Sequence, residues 1–196
     1  MTLFPSLLDT ALPTDDRTRR ILRDVGIAIA GSLLLTLSAK TQIPFWPVPM
    51  TMQTFVVMVI GMALGPRLGV ATVALYLAQG AVGFPVFAGT PEKGVGLAYM
   101  MGPTGGYLAG FLAGAWICGA LAERGWDRSW LKSGIAAAIG HAVIFGLGVL
   151  WLQSLIGWQK AFEFGVAPFW AATLLKTALA VAVLPPAWAL VRKLRD

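Results

Sequence analysis

Six long apolar stretches constrain what this chain can fold into. They run over about Ile21–Ala39, Thr51–Leu64, Leu68–Val82, Pro103–Leu121, Leu131–Leu152 and Pro168–Val191. Most of them approach the roughly 20 apolar residues that a transmembrane helix needs. Only 12% of the 196 residues are charged, about half of the roughly 25% found in soluble domains. We therefore predict an all-α integral membrane protein: a cytoplasmic arm over residues 1–20, then one domain of six transmembrane helices over residues 21–196.

The second and third stretches are joined only by Gly65, Pro66 and Arg67. Because such a short connection leaves no room for a loop, we expect these two helices to form a tight hairpin.

The basic residues predict the orientation of the chain. With the N-terminus inside, eleven of the 15 lysines and arginines fall on the cytoplasmic side, as the positive-inside rule requires. An even number of spans then places both termini in the cytoplasm. The same rule accounts for the net charge of +6, so nucleic acid is not expected as a partner.

The three outer connections differ from the inner ones because they are rich in Pro, Gly and aromatic residues. They contain KTQIPFWPVPMTMQT, GFPVFAGTPEKGVGLAYMMG and GWQKAFEFGVAP. Irregular backbone at membrane depth is tolerated only where it is buried in protein or lines a cavity. We therefore expect these loops to fold back over the outer end of the helices.

Lys176 is the first candidate for a binding residue, because it lies inside the sixth apolar stretch. A lysine at the bilayer centre costs about 2.5–3.5 kcal/mol on insertion scales, and such a charge usually has a function. The alternative is that its long side chain extends to the interface. Small residues nearby, among them Thr173, would leave room for a ligand.

Two outer motifs are further candidates. In GPTGGY, Gly105 and Gly106 open a helix whose N-terminus would favour an anion, although they could equally serve tight helix packing. In the PEKG turn, Glu92 and Lys93 could contact a polar ligand or could be ordinary solvated charges.

The remaining polar residues argue against catalysis and against a metal site. There is one cysteine, Cys118, and one histidine, His141, which we interpret as an interior hydrogen-bonded residue without an assigned role. No Ser/His/Asp set or carboxylate pair suggests an enzyme, and no GxxxxGK[ST] motif suggests ATP hydrolysis by this chain.

The first stretch carries small residues at four-residue spacing, Gly26 with Ala30 and Ala28 with Ser32. Such patterns let helices approach closely. The contact could be with a partner helix or within the chain.

Several motifs together resemble the BioY family. They are FWPVPMTMQT, the GPRLG hairpin, GFPVFAG, GPTGGYLAGF and the PF…LLK stretch, and they span about Ile43–Leu179 in the family's order. BioY proteins are the biotin-binding S components of energy-coupling-factor (ECF) transporters. The resemblance implies the six-helix S-component fold, biotin as the transported ligand, no cofactor, and a site on the outer face capped by the outer loops.

The resemblance also implies roles for particular residues. The biotin carboxylate would meet Lys176 and the polar loop position of Glu92 and Lys93, while Gln53 and Tyr107 would line the pocket. The chain departs from the family in two places: Thr173 replaces an aspartate that many members have, and Leu108 replaces an arginine found in some. Thr173 leaves Lys176 without an internal counter-ion, which favours a substrate carboxylate as its partner but makes the empty site costlier, so affinity or ligand choice could differ from that of the family.

For partners, the resemblance implies a transmembrane T component, contacted by the small residues of the first helix, and two cytoplasmic ATPase subunits. The location would be the bacterial cytoplasmic membrane, in contact with lipid. An S component for another vitamin and a ligand-free membrane scaffold are the alternative functions.

Overall fold

The computed structural model of the chain describes residues 4–43 and 46–195. Phe45, which begins the FWPVPMTMQT motif, lies outside the described residues. The long helices are α2 (Arg17–Lys40), α3 (Gln53–Ala81), α5 (Gly105–Ala122), α6 (Trp130–Ile156) and α8 (Trp170–Arg195). Within the described residues, α2, α3, α5, α6 and the helical run Trp158–Arg195, which contains α8, are long and apolar enough to cross a membrane.

The helix α3 is two helices joined by a sharp turn. Gly65 has φ 78° and ψ 174°, a conformation that glycine adopts without steric cost, and Pro66 then begins the second half. The two halves run back along each other, since the Gln53 side chain reaches the Tyr76 hydroxyl at 2.7 Å. The bundle thus has six helical segments, and the predicted hairpin at Gly65–Arg67 is confirmed.

Small residues bring α3, α5 and α6 into close contact. A Cβ atom on Gly61 of α3 would lie 2.6 Å from the carbonyl oxygen of Ala115 in α5. A Cβ atom on Gly110 of α5 would lie 2.9 Å from Cα of Ile144 in α6. Both distances are below van der Waals contact, so neither position can hold a larger residue without separating the helices.

The outer loops contain short elements that the apolar pattern did not predict. They are β1 (Gln42–Ile43) paired antiparallel with β2 (Met50–Thr51), α4 (Gly96–Met100) and α7 (Trp158–Gly165). Phe87, in the connection after α3, is 1% exposed and its ring stacks on Tyr99 with centroids 4.9 Å apart. These connections cover the outer end of the bundle, as expected.

The N-terminal arm packs against the opposite end. It contains α1 (Leu7–Ala11), and the amide of Phe4 donates to the carbonyl of Glu123 at 2.7 Å. Asp9 forms an ion pair with Arg23 at 2.7 Å, and Arg195 donates to the carbonyl of Thr10 at 2.9 Å. The arm is therefore tied to α2, to the end of α5 and to α8.

Candidate functional site

A cavity lies under the outer loops, between α3, α5, α6 and α8. The space between its walls, including the part that is open to solvent, is about 520 Å³. One wall is formed by the segment around β2 and the first turn of α3, with Val48, Pro49, Thr51, Gln53 and Thr54.

Aromatic rings form much of the remaining surface. They come from the loop helix α4, from α5, from α6 and from the turn before α8, and are Tyr99, Tyr107, Phe111, Phe145 and Phe169. Such a surface suits a flat, mostly apolar ligand.

The hydroxyls of both tyrosines are already engaged. Tyr107 donates to the carbonyl of Gly165 at 2.8 Å, and Tyr99 donates to the carbonyl of Ala88 at 2.7 Å. These bonds fix the two rings against the loops. Burial raises the pKa of Tyr99 above its ordinary value, which keeps this hydroxyl protonated as a donor.

Gln53 connects the cavity wall to the loop above it. Its amide nitrogen donates to the Tyr76 hydroxyl, and its amide oxygen accepts from Thr51 at 3.1 Å. Tyr76 in turn donates to the carbonyl of Val86 at 3.2 Å. One N–H donor and one lone pair of the Gln53 amide are thus used to hold the wall in place, and the others, which have no partner in the described part of the chain, remain free for a ligand.

Lys176 is the charged side chain of the cavity. It is 5% exposed, and none of the described lining residues is acidic. Within residues 4–43 and 46–195, its ammonium group has no hydrogen bond or ion pair to the protein. Burying most of a lysine side chain among apolar residues without a partner for its charge is costly, and the ammonium group is available to an acceptor that enters the cavity.

The lysine also borders a side groove. This apolar groove runs between the β1–β2 hairpin and α8, beside Thr41, Ile43, Met50 and Leu175. Helical side chains point towards the helix N-terminus, which for α8 is the outer end. The Lys176 side chain is therefore directed from its Cα towards the hairpin side of the cavity.

The other predicted site residues lie at different places. Lys93 borders a second outer cavity of about 350 Å³, which shares Pro49, Tyr99 and Thr104 with the main one. Glu92 is exposed and Thr173 is half-buried, and neither is part of the main lining. Of the predicted set, the structure brings Lys176, Gln53 and Tyr107 together around one cavity.

Gly105 and Gly106 of GPTGGY pack closely against α4 and α6. A Cβ atom on Gly105 would clash with the carbonyl oxygen of Met100 in α4 and would lie 3.1 Å from Nε1 of Trp151 in α6, and one on Gly106 would lie 2.5 Å from the carbonyl oxygen of Leu147. Trp151 also donates to the carbonyl of Gly102 at 2.9 Å. This geometry corresponds to the packing alternative for Gly105 and Gly106.

The small residues of α2 are split between two environments. Gly26 and Ala30 are exposed, Ala28 is half-buried and Ser32 is buried. The Ser32 hydroxyl accepts from the Gln79 amide at 3.3 Å. Only the outward pair, Gly26 and Ala30, is free to meet another helix directly.

Several lining residues were not predicted from the sequence, above all Thr54, Phe111, Phe145 and Phe169. One signal was available: Phe111 follows Tyr107 by four residues and so lies on the same face of α5. In the sequence, the other aromatic lining residues cannot be distinguished from lipid-facing ones.

Comparison with known proteins gives the relatives of the chain. The model of the BioY family matches residues 10–193. A probable biotin transporter BioY of Pyrococcus horikoshii is 35% identical over 161 residues, which cover 82% of this chain and 93% of that protein. The biotin transporter BioY of Thermotoga maritima is 40% identical, over 76% of this chain and 86% of its own.

A solved structure has the same fold. It is the crystal structure of the S-component for biotin from an ECF-type ABC transporter, with a TM-score of 0.74, 24% identity, and coverage of 93% of this chain and 95% of the other. The predicted S-component architecture is thereby confirmed. The chain is a multi-pass membrane protein and belongs to the BioY family.

Proposed function

We propose that this protein captures biotin at the outer face of the membrane and passes it to ATP-driven partner subunits for uptake. The single observation that carries the proposal is the buried Lys176 side chain, whose ammonium group has no partner in the described residues, in a cavity walled by aromatic rings. Two relatives that cover most of the chain are described as a biotin transporter and a probable one, which supports biotin as the ligand.

The chemistry of biotin matches the two kinds of surface in the cavity. Its carboxylate would pair with Lys176 on the hairpin side, and its uncharged bicyclic ring would lie among the aromatic side chains. A charge-assisted hydrogen bond of this kind is about twice as strong as a neutral one. The protein would bind biotin without changing it, since recognition needs no catalytic group.

Uptake against a gradient needs an energy source, and the printed sequence has no nucleotide-binding motif. We infer that a transmembrane T component and two cytoplasmic ATPase subunits supply it. The exposed pair Gly26 and Ala30 on α2 is the surface that we assign to the T component, because small residues allow close helix contact. Lys93 would meet biotin at the outer cavity before it enters.

The test is calorimetric titration of biotin into the purified protein in detergent, beside Lys176→Ala. We expect the variant to bind biotin at least tenfold more weakly, which is about 1.4 kcal/mol. Lys160→Ala is the matched control, because Lys160 is an exposed lysine of α7 outside the cavity, and it should leave the affinity unchanged.

Biotin methyl ester separates the carboxylate from the rest of the ligand. The ester should bind to the unmodified protein as weakly as biotin binds to Lys176→Ala. In Lys176→Ala, the affinity for the ester should fall little further. Tight biotin binding unaffected by Lys176→Ala would move the anion site towards Lys93. No biotin binding at all would favour another ligand or the scaffold function.

A further inference from the structure

His141 lies at the junction of three helices beneath the cavity. It is 2% exposed and belongs to α6, four residues before the lining residue Phe145. Its ring nitrogens lie within 3.3 Å of hydroxyl oxygens on α3 and α8, those of Thr54 and Thr177. Thr54 is itself a lining residue, and Thr177 follows Lys176 directly.

The contacts of the ring determine which nitrogen carries the proton. Nδ1 lies 2.9 Å from the carbonyl oxygen of Ala137. Because a carbonyl oxygen can only accept, Nδ1 must be the protonated nitrogen, and it also points at the Thr177 oxygen. In the neutral ring, Nε2 is then an acceptor. Within the described residues, the Thr54 hydroxyl therefore donates its proton to Nε2 at 3.3 Å.

This bond has a consequence for the cavity. A hydroxyl has one proton and two lone pairs. Once Thr54 has donated its proton to His141, it presents only lone pairs to a ligand. Thr54 thus becomes an obligate hydrogen-bond acceptor in a wall where Lys176 is an obligate donor.

We propose that His141 is a positioning residue that holds Thr54 as the acceptor for a ureido N–H of biotin. The inference rests on the proposed function. Lys176 would pair with the carboxylate, and Thr54, which lies in the same cavity wall and is held from beneath by His141, is left as an acceptor for a different group of the ligand. The ring end of biotin carries two N–H donors. An acceptor-only hydroxyl can bind such a donor, but it cannot bind a second carboxylate or a ring without hydrogen-bonding groups.

The experiment is a double-mutant cycle on biotin affinity, with His141→Phe, Thr54→Val and both together. His141→Phe removes the acceptor and should weaken biotin binding about threefold to tenfold, the range for one neutral hydrogen bond. In the Thr54→Val background, His141→Phe should cause little further loss, because the hydroxyl that it orients is gone. Equal, additive losses in both backgrounds would overturn the proposal.

His141→Gln is the conservative variant, since its amide supplies one donor and one acceptor. It should restore much of the affinity lost in His141→Phe, and Thr54→Ser should bind like the unmodified protein. A purely structural role for His141 predicts a lower melting temperature with unchanged affinity in the folded fraction. If His141→Phe does not fold, the assignment can still be tested. The biotin affinity of Thr54→Ser is then compared with that of Thr54→Val, and the affinity of His141→Gln is measured.

Biotin methyl ester decides which end of the ligand meets Thr54. The ester keeps both ureido N–H groups, so its affinity should fall in His141→Phe by the same factor as that of biotin. A loss that disappears with the ester would place Thr54 at the carboxylate end and overturn the ureido assignment. Failure of the unmodified protein to bind biotin would instead refute the proposed function, which is a different result.

Discussion

Asp127, which lies outside the membrane-spanning helices, shows how a single buried carboxyl group affects the stability of the folded state. It lies in the turn between α5 and α6, is 1% exposed, and one of its oxygens accepts from the Trp188 indole. The other oxygen has no partner within the described residues. Burial raises the pKa of Asp127, against the hydrogen bond from Trp188 and the charge of Arg128, which lower it.

The raised pKa gives the sign of a pH effect on stability. The folded state holds the proton more tightly than the unfolded state, so this residue favours folding most below the unfolded pKa and loses that contribution as pH rises through the folded pKa. Asp127→Asn keeps an acceptor for Trp188 and removes the charge. We expect its melting temperature to equal or exceed that of the unmodified protein at pH 7, with the difference disappearing near pH 4.

Thermal unfolding in detergent, followed by circular dichroism at both pH values, measures this difference. Asp127→Ala is the control, because it also removes the charge but leaves the indole N–H of Trp188 without its acceptor. A melting temperature of Asp127→Asn well below that of the unmodified protein at pH 7 would contradict the prediction.

At the scale of elements, one lysine of α2 donates three hydrogen bonds to the loop between α3 and α4. The Lys40 ammonium donates to the carbonyls of Phe87 and Thr90 at 3.0 and 2.9 Å and to the Thr90 hydroxyl at 3.1 Å. Ala88, between those two residues, lines the cavity. The lysine therefore holds a wall of the cavity from a neighbouring helix.

Lys40→Met should loosen this loop and weaken biotin binding roughly fivefold, since partly exposed bonds from a charged donor contribute about 1 kcal/mol net. Most of the change should appear as faster dissociation, together with faster hydrogen exchange in residues 84–95. Lys40→Arg, which keeps a charged donor, is the matched control. An unchanged dissociation rate in Lys40→Met would show that the loop is held by other contacts.

The secondary-structure elements also show how much of the fold could be predicted from the sequence. The transmembrane helices and the turn at Gly65 follow from apolar length and from Gly-Pro, and both could be predicted. The strands β1 and β2 and the short helix α4 could not, because Gly- and Pro-rich apolar loops have no period. Lys176 was recognisable because a charge in an apolar helix is rare, whereas Phe145 and Phe169 resemble any lipid-facing aromatic residue.

At the scale of the whole molecule, the distribution of basic residues predicts how the protein lies in the membrane. Cys118 is the only cysteine of the sequence and it is buried between helices. The unmodified protein should therefore resist a membrane-impermeant maleimide on either side. This makes single-cysteine variants a clean measure of topology.

In a Cys118→Ala background, Glu92→Cys should react with the maleimide in intact cells, because Glu92 is exposed on an outer loop. Lys193→Cys, at the exposed end of α8, should react only after the membrane is permeabilised. The reverse pattern would show that the termini lie outside and would place the cavity on the cytoplasmic face.

If the proposed function holds, the unpaired ammonium of Lys176 should make the empty protein less stable than the biotin-bound one. A ligand present at 100 times its dissociation constant stabilises the folded state by about 2.7 kcal/mol. Proteases in a cell act on unfolded chains, so empty copies should be degraded sooner than loaded ones. The lifetime of the receptor would then follow the supply of the vitamin, without any regulatory protein.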